Sequence, residues 1–225
     1  MKRIRKTHPP KELLEWLKEN EGLDCSYSAL QGKPAHKALK RQLLKEQGYI
    51  CAYTGIRISE ADSHIEHLKP QNICKQEEGL EKKYLDDVEY HNMVACFPED
   101  GGDVSFGYGA PVKGGWWNGS EFVSPCQTDC EKRFIYGWKG EIKCVDGDKA
   151  AETTIKTLDL GTRRLKDKRY RRIVGFFGFS KKAKDLSQQD AKRLLAVISE
   201  PNSTGHCTEF CFVFKQLLPK YIKQP

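Results

Sequence analysis

The sequence predicts an α/β-type (α+β) chain, with short strands gathered in its middle and helices on both sides. Three observations carry that expectation. Apolar residues recur at helical spacing near the start and again beyond residue 148. Short runs rich in aromatic and β-branched residues fall between those stretches, at Tyr49–Tyr53, His64–Leu68 and Phe134–Val145. A long glycine-rich stretch, 97–125, fits neither pattern.

Residues 9–21 read as a helix: Pro9 and Pro10 precede it, Leu13, Leu14 and Leu17 share a face with Trp16 at its edge, and Gly22 ends it. A second helix runs from Pro34 to Gln47 and stops at Gly48, with Leu39, Leu43 and Leu44 as its apolar stripe. Its Lys37, Lys40, Arg41 and Lys45 read first as a solvated face. Tyr49–Tyr53 reads as a short strand, Thr54-Gly55 as a turn, and Ile56 and Ile58 as the start of the next strand. Residues 72–87 are charged and loop-like. The 97–125 stretch reads as a long loop, whose Phe106, Tyr108, Trp116 and Trp117 either stack on unpaired bases or pack on their own domain. Residues 134–145 read as a hairpin, and Asp148 as the cap of a helix over 149–157. A basic helix follows and ends near Phe176-Phe177-Gly178-Phe179. Ser187 caps another, and residues 207–218 form an apolar last element that packs at home or docks a partner.

A chain of 225 residues that is 38% hydrophobic and 31% charged buries a real core. No apolar run approaches a membrane span, and no hydrophobic signal segment follows the basic N-terminus, so a cytoplasmic protein without membrane contact is expected. The net charge of +7 favours an anionic partner modestly. Nine cysteines without a signal segment read as reduced thiols, some buried and some on zinc.

The stretch richest in chemistry is His64-Ile65-Glu66-His67-Leu68-Lys69-Pro70-Gln71. On a strand, His64 and Glu66 share a face and His67 points the other way unless the strand bends, which Pro70 favours. A carboxylate suits Mg²⁺ or Mn²⁺, and a neutral imidazole takes a proton from water. The bland alternative is an exposed polar loop or a structural histidine pair.

Further residues join this core: Cys51-Ala52-Tyr53-Thr54 before it, then Tyr90-His91-Asn92-Met93-Val94-Ala95-Cys96 and Cys130-Glu131-Lys132-Arg133-Phe134 after it. In that order they resemble the HNH (ββα-metal) endonucleases. Met1-Lys2-Arg3-Ile4-Arg5-Lys6, Gln47-Gly48-Tyr49-Ile50-Cys51-Ala52-Tyr53 and the His-Ile-Glu-His core resemble the PtuB-like HNH effectors of Septu and retron anti-phage systems, over residues 1–175. The resemblance implies a helical N-terminal arm at 1–47, a ββα-metal HNH nuclease core at 48–145 with the insertion at 97–125, and a helical basic region at 146–225.

It also implies roles. His67 is the general base, Glu66 the Mg²⁺ or Mn²⁺ ligand (where aspartate is common), and His64 a second ligand or an orienting group. Asn92 holds the loop carrying the base. The motif's last ligand has no clear counterpart; Asp129 and Glu131 are the candidates. Lys113 matches a lysine that recurs after the core, as a phosphate contact or a plain surface lysine. Structural zinc on Cys51, Cys96, Cys126 and Cys130 is expected, with Thr54 standing where a second cysteine is usual; alternatively the thiols are small buried hydrophobes. Arg163, Arg164, Lys168, Arg169, Arg171 and Arg172 read as a phosphate-backbone surface or as a solubilising face. Implied partners are nucleic acid (DNA first, RNA such as tRNA second), a PtuA-like ABC-type ATPase, and a retron reverse transcriptase with its msDNA. A non-catalytic zinc-containing nucleic-acid-binding module is the remaining alternative.

Overall fold

The computed structural model describes residues 1–76, 86–103, 105–177 and 187–221. It is mixed, with helices around two small antiparallel sheets. Helix α1 (Lys11–Glu19) starts after the two prolines and buries Leu13 and Leu17, while Leu14 is half exposed, so the apolar stripe is narrower than the leucine spacing suggests. A single turn, α2 (Tyr27–Leu30), is capped by the Ser26 side chain, which accepts from the Ala29 N–H. Helix α3 (Pro34–Gln47) has the bounds its sequence signals set: Pro34 opens it and Gly48 closes it in the left-handed region. Leu39, Leu43 and Leu44 are fully buried, each contributing roughly 1.5–3 kcal/mol of transfer free energy. A side chain at Gly48 is excluded twice, by its φ of +64° and by Cys207 Sγ, which occupies the place a Cβ would take. Lys40 and Arg41 are less idle than solvation: Lys40 donates to the Ser63 carbonyl, and Arg41 pairs with Glu60 at 3.0 Å.

The expected strand at Tyr49–Tyr53 is a knuckle instead. Ile50 makes one isolated bridge to Arg57, and the Gly55 N–H closes a turn onto the Cys51 carbonyl at 2.9 Å. The turn uses the backbone groups that a longer ladder needs. Strand β1 (His64–His67) pairs antiparallel with β2 (Met93–Cys96), placing Glu66 opposite Val94 and His67 opposite Met93. Gln47 anchors this sheet to α3: its amide donates to the Ala95 carbonyl at 2.8 Å and accepts from the Ala95 N–H at 2.7 Å. Helix α4 (Gln71–Gln76) follows β1, and part of the 72–87 loop lies outside the described residues.

Within the insertion, α5 (Ala110–Lys113) is a single turn opened by Gly109. The insertion's aromatics pack on their own chain: Phe106 against Phe97, and Trp116 and Trp117 against Phe122, while Tyr108 is buried. The hairpin of β3 (Phe134–Tyr136) and β4 (Ile142–Cys144) leads to α6 (Lys149–Thr157), which Asp148 caps by accepting from the Ala151 N–H. Next come α7 (Arg163–Phe177), α8 (Gln188–Ser199) with Ser187 as its cap, and α9 (Cys211–Tyr221). Gly178 and Phe179, beyond α7, lie outside the described residues. Helix α9 buries Phe212, Val213, Phe214, Leu217 and Leu218 in the chain's own core, and its Gln216 amide donates to the Phe134 carbonyl at 2.7 Å.

The N-terminal arm runs along this assembly. Met1 and Ile4 are buried, the Ile4 N–H donates to the Pro125 carbonyl at 2.8 Å, and the Arg3 N–H to Glu131 at 2.9 Å. One hydrophobic core therefore draws on all three stretches expected from the sequence, from Met1 to Leu218. Among the described residues, no helix is long and apolar enough to cross a membrane.

Candidate active site

Strand β1 ends at a polar cleft of about 230 Å³ lined by His64, Glu66, His67, Tyr27, Asp100 and Lys113, among others. The strand alternates as its period requires, with His64 and Glu66 half-buried and Ile65 and His67 buried. All the same, His67 lines the same cleft as His64 and Glu66, because the chain turns immediately after it.

Asn92 holds that turn. Its side-chain oxygen accepts from the Lys69 N–H at 2.7 Å, and its amide donates to the Lys69 carbonyl at 3.0 Å and the Asp86 carbonyl at 2.9 Å. The Leu68 N–H donates to the Asn92 carbonyl at 2.8 Å. This ties the segment after β1 to the segment before β2.

Two contacts fix the His67 ring. Its Nε2–H donates to the Asp87 carbonyl at 2.8 Å, and the Tyr27 ring meets it edge-on with centroids 4.5 Å apart. A carbonyl only accepts, so the proton sits on Nε2 and the lone pair on Nδ1. Nδ1 faces the Gln71 amide at 3.4 Å, a weak contact. Burial draws the imidazole down to about 4, against smaller upward pulls from the Asp87 carbonyl and Glu66. His67 is therefore neutral at physiological pH.

His64 is the opposite case. Its Nδ1–H donates to the Pro98 carbonyl, and its Nε2 faces Glu66 Oε2 at 3.6 Å. Burial disfavours its charged form, but the Glu66 and Pro98 contacts outweigh burial and raise it above its ordinary value. An imidazole held towards protonation is a poor metal ligand, so the orienting role suits His64 better than ligation.

Glu66 is sealed on one side. Lys113 Nζ donates to its Oε1 at 2.8 Å and to the His67 carbonyl at 2.8 Å, and the Tyr53 hydroxyl approaches Oε1 at 3.3 Å. Burial pushes the carboxyl up, but His64 and Lys113 more than offset it and keep Glu66 ionised. Lys113 has 1% of its side chain exposed, so it is neither a surface lysine nor an open phosphate contact. The reason is charge: a carboxylate buried to this degree needs a counter-ion.

Asp129 and Glu131 are not in the cleft; Glu131 Oε1 is engaged by the Arg3 N–H. Asp100 and Tyr27 line it instead, and neither was identifiable from spacing. The His64–Pro98 hydrogen bond brings the chain back to β1 and delivers Asp100 two residues later. The signal for Asp100 was an acid in the turn-rich Glu99-Asp100-Gly101-Gly102 soon after Cys96; Tyr27 had only its Ser26 cap as a marker.

Two carboxylates on one cleft suit Mg²⁺ or Mn²⁺, which keep several waters and need only one or two protein oxygens. Oε1 is engaged by Lys113 at 2.8 Å and Oε2 by His64 at the looser 3.6 Å, so a metal on Glu66 Oε2 and Asp100 would have to displace the His64 contact. Among the described residues, no group of three or more His, Cys, Asp or Glu is arranged to hold a metal ion.

The four expected zinc cysteines separate into two places. Cys51 and Cys96 share a hydrogen bond beside Thr54, and both are fully buried. Cys126 sits near Lys6, and Cys130 donates to the Pro125 carbonyl at 3.6 Å. Burial raises the thiols of Cys96, Cys126 and Cys130, as befits small core residues.

On α7, Arg163, Arg164, Lys168, Arg171 and Arg172 are exposed. Arg164 donates to the Ser105 carbonyl at 2.9 Å and Arg172 pairs with Glu209 at 3.0 Å. Arg169 departs from the expectation. It is 2% exposed and donates to the Gly140 carbonyl at 2.7 Å and the Leu160 carbonyl at 2.9 Å, which makes it a buried clamp between helix and hairpin.

No protein-family model matches the chain, and no curated protein matches it.

Proposed function

We propose that the chain is a hydrolase of nucleic-acid phosphodiester bonds, an HNH-type endonuclease. The observation that carries this reading is the His67 ring, neutral, fixed through Nε2, with the Gln71 amide 3.4 Å from Nδ1, on a cleft that Glu66 and Asp100 also line. Two antiparallel strands followed by a short helix whose lysine reaches back to the first strand support it as well.

In this reading His67 Nδ1 takes a proton from the attacking water while Asp87 keeps the other nitrogen protonated. Asn92 keeps the turn, and so the base, in place. Lys113 and His64 hold Glu66 ionised. Glu66 Oε2 and Asp100 would hold Mg²⁺ or Mn²⁺, which when bound neutralises charge on the scissile phosphate. DNA is the favoured substrate and RNA the second. An anti-phage role with an ABC-type ATPase and a retron reverse transcriptase with its msDNA rests on the sequence resemblance.

The test is incubation of the purified protein, with any co-purifying partner, with plasmid DNA and with total tRNA, with Mg²⁺ or Mn²⁺ present or chelated. The expected result is metal-dependent cleavage that His67→Ala lowers by about 10²–10⁴-fold. Full activity in His67→Ala would remove the base assignment, and the substrate consumed separates DNA from RNA.

A further inference from the structure

A second polar cavity, of about 470 Å³, shares no lining residue with the cleft. Its walls are the N-terminal arm, the segment around Thr128–Lys132, the end of α8 and the start of α9. The backbone hydrogen bonds of Arg3 and Ile4 to Glu131 and Pro125 fasten the main chain of the arm there. Lys2, Arg3, Arg5, Lys132 and Lys215, brought from three distant parts of the chain, all line the groove.

Two observations make this more than a solvated face. Arg3 Nε is buried and has no hydrogen-bond partner among the described residues, although a buried guanidinium nitrogen normally finds one. The acids of the groove are also too few to balance it. Glu46 is consumed by Lys6, Thr7 and Tyr90, which among the described residues leaves Glu131 and Glu200 against five cations.

We infer that this groove is a binding site for a phosphodiester backbone. Arginine matches phosphate with paired donors and lysine supplies point charge, and the hydroxyls of Thr128 and Ser199 add donors of the kind that contact phosphates. Among the described residues its uncharged lining has no aromatic or large aliphatic residue, which provides neither the anchors on which protein partners concentrate binding energy nor a platform for stacking bases. The site therefore reads charge and spacing, and binds without sequence preference.

The test is the fluorescence anisotropy of a labelled mixed-sequence DNA duplex, titrated with the full chain in chelator over a series of salt concentrations. Binding is read without cleavage, so the outcome does not depend on what the cleft does. Arg5→Glu/Lys132→Glu changes two exposed residues and leaves the core intact. Lys18→Glu/Lys37→Glu carries the same charge change on α1 and α3, away from the groove.

The groove pair is expected to weaken binding by on the order of tenfold or more, and to flatten the salt slope by about 0.9 for each phosphate that is no longer neutralised. The control pair leaves the slope in place. Unchanged binding by the groove pair, or equal weakening by the control pair, overturns the proposal. So does binding of a poly-glutamate peptide to the groove as tightly as the duplex, which would make it a docking site for an acidic protein segment.

Discussion

Lys113 in the cleft and Lys168 on α7 are the same residue used in opposite ways. Lys113 is sealed against Glu66 and a main-chain carbonyl, while Lys168 stands in solvent. Arg169, the next residue after Lys168, turns inward and clamps two carbonyls. A cation's worth depends on what it neutralises and on how much water can replace it. The cleft is thus charge-matched and built into the fold, while the α7 face is replaceable.

Lys113→Ala is the strongest way to break that contrast. It leaves Glu66 buried with only the longer His64 contact and is expected to cost about 3 kcal/mol in urea unfolding. The double change Lys113→Met/Glu66→Gln removes both charges and recovers much of the loss. A single-variant cost below about 1 kcal/mol would put Lys113 in the same class as Lys168.

The pH dependence of stability tests the same burial from the histidine side. His67 has a folded-state value of about 4 against an ordinary 6.5. As pH falls below 6.5 the unfolded chain takes up a proton that the folded chain refuses. Stability is therefore full above 6.5 and is lost between 6.5 and 4, by about 3 kcal/mol. Urea midpoints across that window should slope in the wild type and flatten in His67→Gln. An equal slope in the two proteins would mean that His67 is far better hydrated than its burial indicates.

Adjacent residues on α7 give the smallest and sharpest comparison. Arg169→Ala leaves the Gly140 and Leu160 carbonyls without donors and should cost about 2–3 kcal/mol. Lys168→Ala should change thermal stability by no more than about 0.5 kcal/mol. Similar melting points for the two variants would erase the distinction between clamp and solvated face.

This contrast also explains what the sequence could tell. Helix α3 was legible to its ends because Pro34, three spaced leucines and Gly48 are local signals. The β1 strand was legible because alternation carried it, whereas Asn92 was visible only through the resemblance and not through spacing. The knuckle at Cys51–Gly55 was not, since its aromatic and branched residues have strand character while a turn consumes their hydrogen bonds. Asp100 was hidden because a bond between His64 and Pro98, far apart in the chain, brings it to the cleft. Lys113 and Arg169 were assigned to surfaces because a charge in a sequence does not state its depth; only the buried partners do.

The N-terminal arm also bears on how the chain is made. Its anchors, Pro125 and Glu131, come more than a hundred positions later, and the Arg3–Glu131 contact spans 128 residues. As the polypeptide leaves the ribosome, α1 and α3 have each other to pack against, but the first residues have no seat until the hairpin region has emerged. Residues 1–4 are therefore fastened only after residues 125–131 have emerged, well after α1 and α3 can pack.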